Sequence, residues 1–302
     1  MKKTHNGYLL YNKPPGLTSF ESLGKIKKLY ETKKAGHTGT LDKFASGLLL
    51  VLLGRGTRLA PLFVNCTKEY RGTIFFGEET DTLDPEGEVI ARGELPSRQA
   101  LEGAMENFRG EILQAPPAYS AIHINGRRAH ELAREGKGPV MEKRPVTIYD
   151  LELISWEPPL AEIRALVSSG TYIRSLARDI ALAAGSRAHL AALKRSALGP
   201  FGLDEASGDF ASADAAPLAG ASNLRQIDEA LFKALSLPVF YIEDRAAFVH
   251  GKALEGILNK EDLSLSGAEA AGVFGNKGPH DFLGFLEQRK GKWAYGYVYA
   301  NN

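Results

Sequence analysis

The stretch Gly36-His37-Thr38-Gly39-Thr40-Leu41-Asp42 is a glycine-containing turn that ends in one carboxylate, and the apolar run 48–53 follows it closely. Glycine allows the backbone to turn tightly and to come close to a ligand. We interpret the apolar run as a buried strand, which places the polar turn where a rigid scaffold usually presents chemistry. The alternative is an ordinary loop in which Asp42 caps a helix.

Length and cysteine content restrict the class of protein. A chain of 302 residues can bury a large core, and we expect one large and one small domain. Cys66 is the only cysteine, which excludes a disulfide framework and a cysteine-based zinc site. Residues 8–11 are too short an apolar segment for export, and the run 48–53 is too short to cross a membrane. We therefore expect a soluble, cytoplasmic protein that does not bind a membrane.

Positive charge is concentrated around the turn. Residues 1–75 contain thirteen Lys and Arg against four Asp and Glu, although the net charge of the whole chain is only +1. Local enrichment of this kind is typical of a surface that binds phosphates, but it also occurs on ordinary solvated faces.

Local patterns predict several elements. Thr18 and Glu21 have the spacing of a capping box, which predicts the start of a helix. Helical spacing predicts a core face for this helix that consists of Phe20, Leu23, Ile26 and Tyr30. Further patterns predict a strand over 70–76, an exposed helix over 126–135, a helix over 175–184 and a surface connection over 206–222. The acidic segment 81–87 could be taken for a calcium loop, but it lacks the closing Glu, and a hairpin turn is the better interpretation.

A second unit is expected from Ser236 onwards. Short apolar segments and Gly turns indicate several short strands there, as in a small β-barrel or sandwich. Strict alternation of Trp293, Tyr295, Tyr297 and Tyr299 predicts a strand with one aromatic face. We therefore divide the chain into domains 1–235 and 236–302.

Three polar clusters are candidates for chemistry: His37 with Asp42, Lys68 with Tyr70, and Tyr172 with Arg174. No sequence pattern indicates a nucleotide cofactor or a metal. Asp42 has no obvious second acid, since Asp81 and Asp84 look like turn formers, and this disfavours a two-carboxylate glycosidase. A lone Asp held ionised by Arg174, beside tyrosines and a basic surface, suits chemistry on an extruded nucleobase. Alternatively, the tyrosines belong to the core and Arg174 pairs with Asp179.

The combination resembles the TruB-type tRNA pseudouridine synthases. The catalytic motif of that family is similar to the turn 36–42, and further similar blocks follow in the same order up to about residue 202. These blocks are 12–16, 68–70, 80–84, 116–121, 126–129, 170–176, 193–196 and 199–201. Collinear blocks over so long a stretch do not arise by coincidence.

The resemblance implies roles for eight residues. Asp42 would be the catalytic aspartate and Arg174 its partner. Tyr70 would stack on the target uracil, with Tyr172 and Leu193 lining the same pocket. His37 would pack into the T loop of tRNA. Lys13 and Pro14 would support the pocket near Tyr70.

The resemblance also implies a fold and a reaction. The fold would be α+β, with a mixed, largely antiparallel central sheet flanked by helices (the pseudouridine synthase fold) and a small C-terminal β-barrel similar to a PUA domain. The enzyme would isomerise uridine 55 (tRNA numbering) in the T loop, on a base flipped into the pocket, without a cofactor. The partner would be the T stem-loop of tRNA, and we expect a monomer without an obligate protein partner. The role of Asp42, as nucleophile or as base, stays open.

One departure and three alternatives remain. The family usually has Pro after the catalytic aspartate, whereas this chain has Lys43, which frees φ and adds a charge. A tRNA-folding protein without chemistry would not need Asp42. A guide-dependent synthase acting on ribosomal RNA would carry larger flanking regions. An unrelated glycosyl hydrolase would need a second acid.

Overall fold

The computed structural model describes residues 5–124, 126–135, 140–206, 223–265, 267–276 and 278–299. Its strands are β1 (Gly7–Lys13), β2 (Ala35–His37), β3 (Ser46–Leu53), β4 (Lys68–Phe76), β5 (Glu78–Thr80), β6 (Val89–Arg92), β7 (Gly110–Gln114), β8 (His123–Ile124), β9 (Arg127–Arg128), β10 (Arg144–Glu157), β11 (Leu160–Val167), β12 (Ala188–Leu198), β13 (Phe201–Gly202), β14 (Val239–Ile242), β15 (Ala270–Gly275), β16 (Phe282–Arg289) and β17 (Lys292–Val298). Its α-helices are α1 (Ser19–Leu29), α2 (Pro61–Val64), α3 (Arg98–Glu106), α4 (Ala129–Arg134), α5 (Ile173–Ala183), α6 (Glu229–Ala234), α7 (Arg245–Val249) and α8 (Lys260–Ser264), and 3-10 turns lie at Gly54–Leu59, Leu203–Glu205 and Leu254–Gly256.

Nine strands of the described residues form the central sheet. Its main path runs β1-β3-β12-β4-β11-β10-β7, with β2 added beside β3 and β13 beside β12. The pair β3–β12 is parallel, and the other pairs of this sheet are antiparallel. This confirms the predicted α+β class with a mixed central sheet.

Strand β3 is apolar on both faces because both faces are covered. Alternate residues Leu49, Val51 and Leu53 belong to a core that also contains residues of α1, α3 and α5. The intervening residues Leu48, Leu50 and Leu52 belong to a second core shared with phenylalanines of the C-terminal unit. The prediction of a buried strand over 48–53 is therefore confirmed. The sheet position of this strand also fixes where the turn before it lies.

Helix α1 begins as predicted, but its core face is not the predicted one. The Thr18 side chain accepts a hydrogen bond from the Glu21 N–H, and Glu21 completes the capping box. Leu23, Ile26 and Tyr30 are buried, whereas Phe20 is 78% exposed. At 100° per residue, the buried residues of this helix form one stripe from which Phe20 is displaced by about a quarter of a turn. The helix begins its buried stripe at Ser19 instead.

Other predicted elements differ mainly in their bounds. The strand over 70–76 lies within β4, with Tyr70, Ile74 and Phe76 buried. The segment 81–87 joins the antiparallel strands β5 and β6, as expected for a hairpin turn. The helix predicted over 175–184 begins two residues earlier, as α5, and the one predicted over 126–135 shortens to α4. The predicted surface connection lies outside the described residues from 207 to 222.

The C-terminal unit contains an open sheet. Its strand order is β14-β15-β16-β17, and the described edge strands β14 and β17 do not pair with each other, so a closed barrel is not confirmed.

The prediction that Trp293, Tyr295, Tyr297 and Tyr299 share one face is wrong. The pairing shifts between Phe285 and Leu286, whose partners are Tyr297 and Tyr295, and Gly296 becomes an extra residue that reverses the alternation. As a result Trp293 and Tyr295 pack on one side of the sheet and Tyr297 and Tyr299 on the other.

Candidate active site

A cleft of about 1100 Å³ opens beside the turn that precedes β3. Six of the eight predicted site residues line it: His37, Asp42, Tyr70, Tyr172, Arg174 and Leu193. Lys13 and Pro14 are not among the lining residues. The cleft is also lined by residues that were not predicted to belong to the site, notably Phe20, Asp84 and Arg195.

The turn that carries Asp42 is fixed by the segment just before and inside α1. The Ser19 hydroxyl accepts a hydrogen bond from the Leu41 N–H at 2.9 Å and donates one to the Leu41 carbonyl at 3.1 Å. The Gly16 N–H donates to the Lys43 carbonyl at 2.8 Å. The Ala45 N–H donates to the Asp42 carbonyl at 3.2 Å and closes a four-residue turn. Asp42 therefore projects from a backbone whose polar groups are bonded on both sides.

Arg195 braces the same turn from the sheet. Its side chain is only 1% exposed. Its Nε donates to the Leu48 carbonyl at 2.6 Å and its Nη2 donates to the Gly39 carbonyl at 3.2 Å. At Gly47 φ is +104°, and a Cβ there would lie 2.3 Å from the backbone oxygen of Arg195. Glycine at 47 therefore permits both the turn and the close parallel pairing of β3 with β12.

Arg174 brings two carboxylates together from distant parts of the chain. Its Nη2 donates to Asp42 Oδ1 at 3.1 Å, and its Nε lies 2.9 Å from Asp42 Oδ2 without the alignment of a hydrogen bond. Its Nη1 donates to Asp84 Oδ2 at 3.1 Å and to the Thr82 carbonyl at 2.8 Å. The alternative pairing with Asp179 is wrong, since Asp179 pairs with Arg178.

Asp84 is a second acid in the site, although its sequence context predicted only a turn former. It is 5% exposed, and its Oδ1 accepts hydrogen bonds from the Thr82 hydroxyl at 2.6 Å and from the Glu86 N–H at 3.1 Å. These bonds are typical of a turn-forming Asp, which is why the sequence suggested only that role. The other oxygen of the same carboxylate meets Arg174. Asp84 thus combines a turn with a buried ion pair.

The pKa of Asp42 is raised above its ordinary value of 3.8, first by burial. The positive charge of Arg174 opposes this rise, while the negative charge of Asp84 adds to it. The Asp42 side chain is nevertheless 37% exposed, because it faces the open cleft. The surrounding protein therefore shields the Asp42 carboxylate from much of the solvent, while its open side leaves it accessible to a ligand.

Tyr172 is positioned through its backbone. The Gln114 side chain is 1% exposed, accepts a hydrogen bond from the Tyr172 N–H at 2.8 Å and donates one to its carbonyl at 3.1 Å. Tyr172 is the N-cap residue of α5, so this clamp also fixes the start of the helix that carries Arg174. Burial raises the pKa of the Tyr172 hydroxyl. Its ring is therefore neutral at physiological pH.

Tyr70, Leu193 and His37 complete the walls of the cleft. Tyr70 and Leu193 lie on the paired strands β4 and β12 and are each 8% exposed. Their alternation along these strands directs both toward the side of the sheet covered by the helices. His37 lies on β2, and its pKa is lowered first by burial and then by the charge of Arg195. The His37 imidazole is therefore harder to protonate than an exposed one.

Two lysines that the sequence singled out, Lys13 and Lys68, are held by backbone oxygens. Lys13 is 0% exposed, and its Nζ donates to the carbonyls of Pro14 at 2.9 Å and Leu17 at 2.6 Å. Burial lowers the pKa of Lys13 to about 8, against the opposing charge of Asp42. Lys68 is also buried, and its Nζ donates to the carbonyls of Val64 at 3.1 Å and Cys66 at 2.6 Å. Both lysines fix loops that flank the cleft.

The described residues contain no group of three or more His, Cys, Asp or Glu side chains that could hold a metal ion. Among the helices described, none is both long and apolar enough to span a bilayer.

The sequence of this chain matches a family model and many curated proteins. The family model described as "TruB family pseudouridylate synthase (N terminal domain)" matches residues 27–173. A tRNA pseudouridine synthase B of Borreliella afzelii is 44% identical over 205 residues, which is 67% of this chain and 73% of the relative. A tRNA pseudouridine synthase B of Chromohalobacter salexigens is 41% identical over 249 residues, 82% of this chain and 81% of the relative.

Solved structures are similar over nearly the whole chain. The crystal structure of a Cbf5-Nop10-Gar1 complex matches with a TM-score of 0.67 and 26% identity, and covers 99% of this chain and 84% of the other. A structure of an H/ACA RNP bound to a substrate RNA containing 2′-deoxyuridine matches with a TM-score of 0.64 and 26% identity, over 94% and 78% of the two chains.

Proposed function

The chain belongs to the TruB family of pseudouridylate synthases, and we propose that it isomerises uridine to pseudouridine at position 55 in the T loop of tRNA. It is an isomerase of the pseudouridine synthase class. The curated relatives that are 41–45% identical are named tRNA pseudouridine synthase B, whereas the structural neighbours from H/ACA complexes are about 26% identical. This difference favours tRNA over a guide-dependent substrate.

The observation that carries the proposal is the pairing of Asp42 with Arg174 in the cleft. The two residues are 132 positions apart in sequence, and their side chains meet at 2.9 and 3.1 Å beside Tyr70 and Tyr172. A buried guanidinium holds a carboxylate in one orientation and favours its ionised form. An oriented, accessible carboxylate between aromatic walls suits a reaction on a nucleoside that has left its stack.

The reaction rearranges one bond and balances without a cofactor. The bond between N1 of uracil and C1′ of ribose breaks, the base rotates, and a bond between C5 and C1′ forms. The proton on C5 is lost to solvent, and N1 gains one. Asp42 can serve this sequence either by attacking the nucleoside or by removing a sugar proton, and both routes require its ionised form.

We assign the walls of the cleft to recognition of the flipped base. Tyr70 offers a stacking face, and Tyr172 and Leu193 close the pocket around the ring. His37 lies at the turn, from where it would pack into the T loop. Lys13 and Pro14 would support the pocket near Tyr70 from outside its lining, since the two carbonyl bonds of Lys13 hold the loop that leads to α1.

The remaining assignments concern the whole protein. We propose a catalytic domain over 1–235 and a PUA-like RNA-binding domain over 236–302, acting as a cytoplasmic monomer on the T stem-loop. The similarity to a Cbf5-containing complex over 99% of the chain supports a common architecture for both parts. The basic excess in residues 1–75 supports an RNA partner.

The test is release of tritium from tRNA that carries 5-tritiated uridine. Asp42→Asn preserves the shape of the side chain but removes its charge, so we expect no measurable release while tRNA binding persists, because phosphate contacts lie elsewhere. Glu86→Gln is the matched control, since Glu86 lines the same cleft and forms its ion pair with the exposed Lys43. Equal release from wild type and Asp42→Asn would contradict the assignment.

A further inference from the structure

Phe20 is an exposed aromatic side chain in the cleft that contains Asp42. It is 78% exposed, and Val64, another apolar residue that lines the cleft, is 51% exposed. A single exposed apolar residue is ordinary, but two in the cleft that carries the reactive carboxylate require an explanation. Neither belongs to the buried core clusters.

The backbone of Phe20 is held at a fixed position relative to Asp42. Its neighbour Ser19 bonds both backbone polar groups of Leu41, the residue before Asp42. Phe20 also lies in the first turn of α1, where the capping box of Thr18 and Glu21 is complete. Because its backbone is fixed and an aromatic side chain has only two χ angles, little conformational freedom is lost when a ligand covers the ring.

The surroundings of Phe20 are suited to RNA. The N-terminus of α1 is already occupied by the Glu21 carboxylate, which accepts hydrogen bonds from the Thr18 N–H and hydroxyl, so it offers no anion site. Lys43 lies on the adjacent turn with a half-exposed side chain, and its partner Glu86 is 3.7 Å away and equally solvated. An aromatic face beside a solvated cation fits a nucleotide, whose base stacks while its phosphate meets the charge.

We propose that Phe20 stacks on an unpaired base of the T loop that neighbours the flipped uridine. This inference rests on the proposed function, because it takes the flipped nucleoside to lie at Asp42. Phe20 positions the RNA and takes no part in the bond rearrangement. It holds the loop open next to the extruded nucleotide by replacing a stacking partner that this base loses.

The first test compares Phe20→Ala, Phe20→Leu and Phe20→Trp. Loss of a base–aromatic stack weakens binding by about tenfold, so we expect Phe20→Ala to raise Kd for tRNA by that factor. The Kd of Phe20→Trp for tRNA should stay within about twofold of wild type. The Kd of Phe20→Leu should rise nearly as much as that of Phe20→Ala, because leucine offers no aromatic face. We expect KM to rise with kcat at saturating tRNA unchanged, because the contact is the same in ground and transition states.

Tyr149→Ala is the matched control, since Tyr149 is 57% exposed on β10 and does not line the cleft. Its affinity should equal that of wild type. Thermal unfolding of Phe20→Ala should also match wild type, because the ring buries little surface in the free protein. A Phe20→Ala affinity within twofold of an active wild type would overturn the inference, as would a Phe20→Leu variant with full affinity.

The second test locates the contact. Replacement of Phe20 by photoreactive p-benzoylphenylalanine should give a crosslink to the T loop, next to the modified uridine, in reverse-transcription stops. Crosslinks confined to a helical stem would overturn the proposal. A wild-type protein that binds tRNA but forms no pseudouridine would contradict the proposed function itself. An active enzyme that is indifferent to Phe20 contradicts only this inference.

Discussion

The guanidinium of Arg174 forms ion pairs with two carboxylates, those of Asp42 and Asp84, and this arrangement affects the pKa of Asp42. Arg174 is 4% exposed and contacts Asp42, Asp84 and the carbonyls of Thr82 and Tyr119. A buried charge of this kind is stabilised only when its hydrogen bonds are satisfied. The negative charge of Asp84 partly offsets the positive charge of Arg174. The Asp42 anion is therefore less stabilised than it would be in an isolated pair with Arg174.

The pH dependence of turnover should reflect this sharing. The pKa of Asp42 is raised mainly by burial, and Asp84 adds to the rise. An acid loses its charge as pH falls through its pKa, so turnover should begin to fall at a pH above the ordinary range of an exposed Asp. Asp84→Asn removes a like charge, and we expect the acid limb of the single-turnover rate to shift to lower pH.

Asp81→Asn is the control for this experiment. Asp81 lines the cleft and accepts a hydrogen bond from the Tyr119 hydroxyl at 3.0 Å, without contact to Arg174. The acid limb of the single-turnover rate of Asp81→Asn should coincide with that of wild type. An acid limb in Asp84→Asn that stays in place or moves to higher pH would show that Asp84 does not act on Asp42 through its charge.

At the scale of elements, α1 holds the catalytic turn through one hydroxyl. Ser19 is 2% exposed, and Ser19→Ala leaves the Leu41 N–H and carbonyl without the hydroxyl that bonds both of them. We expect a loss of about 1–3 kcal/mol in the free energy of unfolding. A displaced turn should also reduce turnover, by up to about a hundredfold for a shift near 1 Å.

Ser22→Ala provides a matched comparison on the same helix. Ser22 is equally buried, but its hydroxyl donates to the Thr18 carbonyl at the start of its own helix and not to the catalytic turn. Urea unfolding gives the loss in the free energy of unfolding of both variants, and single-turnover rates give their loss of turnover. Equal losses of turnover in the two variants would contradict a specific role of Ser19 in placing Asp42.

Lys43 occupies a turn position that suits proline. It is the second residue of the turn closed by the Ala45 N–H and the Asp42 carbonyl, and its φ is not positive. Proline is favoured at this position because its ring fixes φ near −65°. Lys43→Pro should therefore increase the free energy of unfolding by about 0.4–1 kcal/mol relative to Lys43→Ala, measured by urea unfolding.

The Lys43→Ala comparison separates the effect of the proline ring from that of removing the charge. The ion pair with Glu86 is half-exposed on both sides, so its removal should change stability very little. A proline variant less stable than the alanine variant would show that the turn has adapted to lysine.

The elements of this chain are more predictable than the faces they present. The capping box of Thr18 and Glu21, the buried run at β3 and the hairpin at 81–87 follow from local chemistry, and the structure contains all three. The prediction that Phe20 faces the core is wrong because helical spacing alone does not fix where a buried stripe begins. The aromatic alternation in β17 fails because a bulge at Gly296 depends on the partner strand.

At the scale of the whole molecule, the site depends on residues that only the folded sheet brings together. Asp42 and Arg174 are predictable as a pair through family resemblance. The roles of Asp84, Gln114 and Arg195 are not, because the resemblance implies no role for them and each acts by a contact with a residue far away in sequence. A buried charged or amide side chain gives no signal in a local pattern. Its role becomes visible only when its partners are known.

The uneven distribution of charge along the chain predicts how the molecule binds RNA. The basic excess of residues 1–75 includes exposed lysines at and after the end of α1, among them Lys28, Lys33 and Lys34. Each lysine that neutralises a phosphate displaces a counterion, so affinity for tRNA should fall with salt. Replacing these three lysines by Gln should reduce the slope of log K against log salt by up to about 0.9 for each phosphate that the protein no longer neutralises.

A second triple variant separates this local effect from net charge. Arg92, Arg98 and Lys143 are exposed and lie outside residues 1–75, and their replacement by Gln removes the same total charge. Its salt slope should match that of wild type, measured by equilibrium binding over a range of potassium chloride concentrations. Equal reductions in the two triple variants would mean that net charge, rather than a basic face beside the catalytic turn, attracts the RNA. Because Asp42 lies on that turn, the expected asymmetry would orient the tRNA toward the cleft before the base leaves its stack.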